Sequence, residues 1–157
     1  MTVEILSGFT PRATLLPFHQ PSITESDVQA VERVLRSGWL TTGPEAAAFE
    51  QEFADYVGAK HAIAVSSCTA GLHLALRGLG VGEYVGERVV PGDEVIVPTL
   101  TFTASASEVL HAGGCVVLAD VDPLTFNLDV EQVIRLARAE TCGVVFVHLA
   151  GNPSGLR

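Results

Sequence analysis

The stretch His61-Ala62-Ile63-Ala64-Val65-Ser66-Ser67-Cys68-Thr69-Ala70-Gly71-Leu72-His73-Leu74-Ala75-Leu76 decides the fold. Its first five residues are an apolar run bounded by small polar ones, which predicts a strand over 61–66. From Cys68 the period changes: Leu72, Leu76 and Leu79 recur at helical spacing and predict a helix over 68–79. A strand that turns directly into a helix leaves the first helical N–H groups without intrahelical partners, and the helix dipole favours negative charge there. Ser66, Ser67 and Thr69 add hydroxyl donors, so a phosphate is the expected guest. Taken alone, Thr69 serves equally well as a helix cap.

The same alternation continues toward the C-terminus. Glu94-Val95-Ile96-Val97-Pro98 predicts a short buried strand, 103–112 a helix, and Cys115 to Asp120 another strand. Asp129 is expected to cap a helix with Gln132 at the box position and Val133, Ile134, Leu136 and Ala137 as its core face. Cys142 to His148 is the last expected strand. Continuous apolar strands separated by helices predict a three-layer α/β/α fold with a mostly parallel sheet covered on both faces. Ligands of such sheets lie beyond the C-terminal strand ends. Three polar groups fall there: Ser66–Thr69, Pro98–Thr103 and His148–Asn152.

Before residue 61 the pattern is helical. Residues 1–22, with Pro11, Pro17 and Pro21, read as an arm. Thr24 opens a helix with Asp27 in a capping box, Ile23 stapled to Val28, and Val28, Val31 and Leu35 as its stripe. Gly38 ends it. Trp39 to Gly43 form a loop, and Pro44 starts a second helix with Phe49, Phe53, Tyr56 and Val57 on one face.

Composition bounds the function. The chain has 157 residues, 48 % of them hydrophobic, and a formal charge of −9. It is long enough for one domain with a core. Its acidity argues against nucleic acid and against an anionic membrane surface. No apolar run reaches spanning length and the N-terminus carries no signal-peptide pattern, so a cytoplasmic protein is expected. Cys68, Cys115 and Cys142 have no CxxC spacing and read as buried free thiols. His19, His61 and His111 are dispersed, and no metal site is expected. His73 reads as a core residue and His148 as a hydrogen-bonded structural histidine. Asp122-Pro123 reads as a turn rather than part of a metal site with Asp120. Gly78 to Gly82 mimics a dinucleotide fingerprint but follows a helix, where that motif must follow a strand.

Four segments in register resemble the DegT/DnrJ/EryC1/StrS nucleotide-sugar aminotransferases, fold-type-I enzymes that use pyridoxal phosphate (PLP). They are Ser37-Gly38-Trp39-Leu40-Thr41-Thr42-Gly43-Pro44, Ser66 to Leu76, Pro91 to Phe102, and Val147-His148-Leu149-Ala150-Gly151. The resemblance runs from about residue 15 to the end, making residues 23–157 a partial PLP-transferase large domain. It implies that Ser67, Cys68 and Thr69 hold the PLP phosphate and that Phe102, core by composition alone, stacks on the pyridine ring. Trp39, Thr41, Thr42 and Gly43 would lie near the sugar-nucleotide substrate, reaching across a homodimer interface. The implied reaction moves an amino group from glutamate to a nucleotide-linked keto sugar.

The chain departs from the family pattern in three places. Cys68 stands where glycine or alanine is common, which preserves a backbone donor. Glu83 to Val90 is an insertion in a connection, where extra length is tolerated. The Asp-x-x-Gln motif that pairs with the pyridine nitrogen, and the Schiff-base lysine, would both come after residue 157. The single lysine, Lys60, lies at the far end of the expected 61–66 strand from the phosphate turn, with ~3.3 Å of rise per residue between them. The expectation is therefore an N-terminal aminotransferase portion that is inactive alone. A non-catalytic assembly module, or one half of a split enzyme completed by a C-terminal chain, is the alternative. A fold-type-I lyase is a third option, against which the Ser37–Pro44 segment argues.

Overall fold

The computed structural model describes residues 12–17, 19–82 and 92–153, together with the backbone of two short strands at 84–85 and 88–89. The chain forms two compact units that divide between Ala62 and Ile63, a boundary the sequence pattern does not mark. Much of the expected 1–22 arm, including Pro11, lies outside the described residues. The side chains of the Glu83–Val90 insertion do too.

The first unit is helical. Helix α1 spans Glu25–Ser37 and α2 spans Pro44–Val57. Their ends follow from the sequence. Thr24 and Asp27 close the expected capping box, with the Thr24 N–H donating to Asp27 Oδ2 at 2.7 Å. Gly38 and Gly58 stop the helices in the left-handed conformation. Both apolar stripes are exposed, however. Val28, Val31 and Leu35 on α1, and Phe49, Phe53, Tyr56 and Val57 on α2, all face solvent in this chain.

The second unit holds the sheet. Helix α3 (Cys68–Gly78) leads to a small antiparallel hairpin, β1 (Tyr84–Val85) and β2 (Arg88–Val89). Then come β3 (Glu94–Pro98), α4 (Ala104–Ala112), β4 (Cys115–Ala119), α5 (Val130–Leu136) and β5 (Thr141–Val144). Strands β4, β3 and β5 form a parallel sheet in that order, with Glu94 opposite Cys115 and Pro98 opposite Ala119. Alternation along the central strand splits the core in two. Val95 and Val97 pack with Leu76, Val81, Val109 and Ala112 on the α3–α4 side. Ile96 packs with Ala119 and Leu128, backed by Val133 and Leu136 of α5, on the other. The three layers are those expected.

Arg77 closes the lower end of this unit. Its Nη1 donates to the carbonyls of Val81, Gly82 and Ala112, each at 3.0 Å. Gly82 adopts φ +67°, and a Cβ there would meet the Ala112 carbonyl oxygen at 2.0 Å. Only glycine fits that approach.

Several expectations fail for one reason: periodicity names a face without supplying its partner. Residues 61–66 enter no strand, because among the described residues neither edge of the sheet takes them up, and Ile63 is 79 % exposed. The last strand stops at Val144, although the Val145 N–H still donates to the Ile96 carbonyl at 2.8 Å. Leu79, which caps α3 one residue past its end, and Ile134 of α5 are both exposed. Asp129 caps α5 as expected, its carboxylate accepting the Glu131 N–H at 2.9 Å rather than bonding with Gln132. The three cysteines are free but exposed, correcting the expectation of buried thiols. Cys68 begins α3, Cys115 begins β4 and Cys142 lies near the start of β5. Partial burial still pushes the Cys142 thiol pKa up, with a smaller contribution from Asp93. No helix among the described residues is long and apolar enough to cross a membrane.

Candidate functional site

Beyond the C-terminal ends of the strands in the second unit lies a cavity of about 390 Å³. Three segments build it. The first turn of α3 supplies Cys68, Thr69 and Leu72. The β3–α4 connection supplies Thr101, Phe102, Ala104 and Ser105, and the segment after β5 supplies Val145 to His148. Each of the three polar groups that the strand pattern placed at one end of the sheet contributes in part: Cys68 and Thr69 from the first, Thr101 and Phe102 from the second, and His148 alone from the third.

The first turn of α3 is arranged for an anion. Ser67 is the N-cap: its Oγ accepts the Ala70 N–H at 3.1 Å and its carbonyl accepts the Gly71 N–H at 3.1 Å. Those two bonds use the third and fourth donors of the turn. The Cys68 and Thr69 N–H groups have no intrahelical acceptor and stand at the positive end of the helix dipole. The Thr69 hydroxyl is beside them. Although the chain carries a charge of −9, no aspartate or glutamate lines the cavity. Neutral donors and the helix end therefore set its field.

Opposite, Thr101 Oγ1 and Ser105 Oγ share a hydrogen bond of 2.6 Å, and Ser105 is buried. Phe102 is 78 % exposed, so it is no core residue, and it lines the cavity. These residues fit the phosphate and ring of a pyridine cofactor: free amides and a hydroxyl for the anion, and an exposed aromatic side chain for the ring.

Sequence reasoning missed two members of this region. Ser105 carries no motif signal beyond its place near the start of α4. Glu108 is 7 % exposed and lies between two histidines: His73 Nδ1 of α3 at 3.2 Å and His111 Nδ1 of α4 at 3.1 Å. His73 is thus half-exposed and paired rather than a core residue, and it ties α3 to α4. Only the Glu108–His111 spacing along one helix could have suggested it. His148, read from the sequence as a structural histidine, lines the cavity.

Asp122 is a turn residue, as expected. Its carboxylate accepts the N–H groups of Leu124 at 2.9 Å and Thr125 at 2.7 Å, chiefly the latter holding its pKa below the usual value. Asp120 accepts from Thr99 and the Val121 N–H. No metal-binding group of carboxylates, histidines and cysteines occurs among the described residues.

The Trp39–Gly43 loop belongs to the first unit and forms its own cavity of about 330 Å³ with Ser37, Pro44 and Glu45. Trp39 Nε1 donates to the Thr42 carbonyl at 3.0 Å, folding the loop on itself. A Cβ at Gly43 would lie 2.0 Å from that ring nitrogen, so the indole position requires glycine. Trp39, Thr41 and Gly43 line this cavity, whereas Thr42 enters through its backbone alone. Lys60 lines neither cavity.

Comparison with known proteins agrees with this geometry. Residues 21–157 match the model of the DegT/DnrJ/EryC1/StrS aminotransferase family. The chain is 44 % identical over 141 residues to the spore coat polysaccharide biosynthesis protein SpsC of Bacillus subtilis, covering 90 % of this chain and 34 % of that protein. Among solved structures it is similar to Spr1654 of Streptococcus pneumoniae in its PLP form, with 38 % identity and a TM-score of 0.78 over 89 % of this chain and 34 % of that one. The aminotransferase of Psychrobacter cryohalolentis gives 41 % identity and a TM-score of 0.75 over 87 % of this chain and 33 % of that one. The chain thus spans about a third of the length of the relatives it matches. Over that third its fold is that of the fold-type-I aminotransferases, and the chain belongs to the DegT/DnrJ/EryC1/StrS aminotransferase family.

Proposed function

We propose that the second unit is the phosphate-holding wall of a PLP site in an aminotransferase that acts on nucleotide-linked keto sugars, with glutamate as amino donor. The observation that carries this reading is the acid-free cavity on the first turn of α3, where the Cys68 and Thr69 amides are open to an anion. The PLP form of Spr1654 supports it as a likeness. PLP, when bound, supplies an electron sink at the carbon that exchanges its amino group.

This chain's residues bind and orient. The Cys68 and Thr69 N–H groups and the Thr69 hydroxyl would donate to phosphate oxygens. Ser67 acts through the cap that shapes this turn. Phe102 would cover one face of the ring, and Leu72 and Val145, apolar members of the same lining, would exclude water from around it. Trp39, Thr41, Thr42 and Gly43 form the loop that meets the sugar nucleotide in the assembled enzyme.

Moving a proton at the reacting carbon needs a base. Lys60 belongs to the first unit and lines neither cavity. We assign the base, and the carboxylate for the ring nitrogen, to polypeptide outside these 157 residues, in the same protein or in a complementary chain. The chain alone is then expected to bind but not to transaminate. Calorimetry with pyridoxamine phosphate, which forms no adduct with lysine, tests the binding half: wild type binds, and Thr69→Val binds about tenfold more weakly, as for one lost charge-assisted hydrogen bond. Borohydride reduction with PLP tests the other half, and a stable adduct on Lys60 would overturn it.

An assembly role gains support from the apolar face of α1, where Val28, Val31 and Leu35, with Ile23 just before the helix, are all exposed. A homodimer or a pairing with a C-terminal chain would cover it. Sedimentation as a monomer at high concentration would count against the homodimer.

A further inference from the structure

Asn127 lies in the connection between β4 and α5 and is 5 % exposed. Its side chain spends both ends on one distant segment. Nδ2 donates to the Asn152 carbonyl and Oδ1 accepts the Leu149 N–H, each at 3.2 Å. Asn152 reciprocates through Nδ2, which donates to the Thr125 carbonyl at 3.5 Å. Between the two bonded positions, Leu149–Gly151 form a single 3-10 turn that starts directly after His148. His148 and the three residues before it are one wall of the cavity. The carboxamide thus fastens the far end of that wall to the body of the unit.

Backbone strain coincides with the same contact. Two non-glycine residues in the described chain have positive φ, Phe126 at 59° and Ala150 at 53°. One immediately precedes Asn127, and the other lies inside the turn that Asn127 clamps. Such conformations persist only where the surroundings over-determine them. Leucine would fill nearly the same volume but would leave the Leu149 N–H and the Asn152 carbonyl without these partners.

We infer that Asn127 is a positioning residue of the cavity, its carboxamide holding the 148–152 segment in the conformation that presents His148 to a bound ligand. The inference rests on the proposed function only for the identity of that ligand.

The test compares wild type, Asn127→Ala and Asn127→Asp by amide hydrogen exchange at Leu149, by the His148 ring resonances and by calorimetry with pyridoxamine phosphate. In Asn127→Ala, Leu149 is expected to exchange at least about tenfold faster while Val95 and Val97 keep their protection. The His148 resonances shift, and affinity for pyridoxamine phosphate falls about tenfold. Asn127→Asp keeps the acceptor but, when ionised, turns an oxygen toward the Asn152 carbonyl. Protonation restores a donor. Its affinity relative to wild type at the same pH is therefore expected to rise as pH falls, a signature that lost packing would not give.

Unchanged Leu149 exchange overturns the inference, and so does faster exchange with wild-type affinity, which would make Asn127 merely structural. If wild type fails to bind pyridoxamine phosphate, the functional reading falls; Leu149 exchange and the His148 resonances then decide the anchoring by themselves. Should Asn127→Ala unfold, as loss of protection at Val95 would report, the pH-dependent ratio for Asn127→Asp decides.

Discussion

Glu94–Pro98 and His61–Val65 are both short apolar runs flanked by polar residues, and in sequence they read as the same object. In the structure the first is the central strand of the sheet, with Val95, Ile96 and Val97 each 0 % exposed. The second joins no strand and leaves Ile63 and Val65 exposed. Intrinsic preference does not separate them. A strand is stabilised by its ladder and by what covers its faces, and β3 has β4 and β5 at its edges with helices over both faces. An apolar pattern therefore states which surface wants a partner, and the rest of the fold decides whether it finds one.

Paired truncations sharpen this comparison most. Ile96→Ala removes a fully buried side chain and should cost about 3 kcal/mol in denaturant unfolding. Ile63→Ala should change stability by less than about 0.5 kcal/mol. A loss at Ile63 equal to that at Ile96 would mean that 61–66 is buried in solution and would break the contrast.

Much of the fold was legible because its signals are local. The capping box at Thr24 and Asp27, the stops at Gly38 and Gly58, and both ends of Glu94–Pro98 depend on neighbouring residues, and all are observed as expected. Exposure was not legible. The pattern marked apolar faces on α1 and α2 and read the three thiols as buried, yet covering them requires surfaces that the local pattern does not supply. The candidate site shows the same division. Cys68, Thr69 and Phe102 lie on motifs and converge on the cavity. Ser105, Glu108 and Asn127 lie on none, because their roles are contacts between segments distant in sequence.

Gly82→Ala comes next in size. With φ at +67° and the Ala112 carbonyl in the way, it should destabilise the second unit by about 2 kcal/mol and loosen the Arg77 bonds that seal it. Thermal unfolding would check this, and an unchanged midpoint would show that the lower end is not as tightly closed as β3. Glu108→Ala should cost about 1–2 kcal/mol by releasing His73 from α4. Hydrogen exchange should then rise in α3 more than in β3; a uniform rise would show that the two are equally anchored.

The smallest effect concerns pH. Asp122 has a folded pKa below its unfolded value, through bonds from Thr125 and Leu124. Its contribution is present above the unfolded carboxylate value of about 4 and is lost as pH falls through the lower folded one. Asp122→Asn should therefore flatten the acid limb of the stability profile slightly and leave neutral pH nearly untouched. An effect at neutral pH as large as that in acid would contradict this sign.

The central claim is that the open amides at the start of α3 hold a phosphate. Amide chemical-shift mapping with pyridoxamine phosphate and with pyridoxamine tests it most directly. The account predicts that pyridoxamine phosphate shifts Cys68 and Thr69 together with Phe102, and that pyridoxamine without its phosphate leaves them unmoved at the same concentration. Equal shifts from both compounds, or shifts confined to residues outside the cavity, would contradict it.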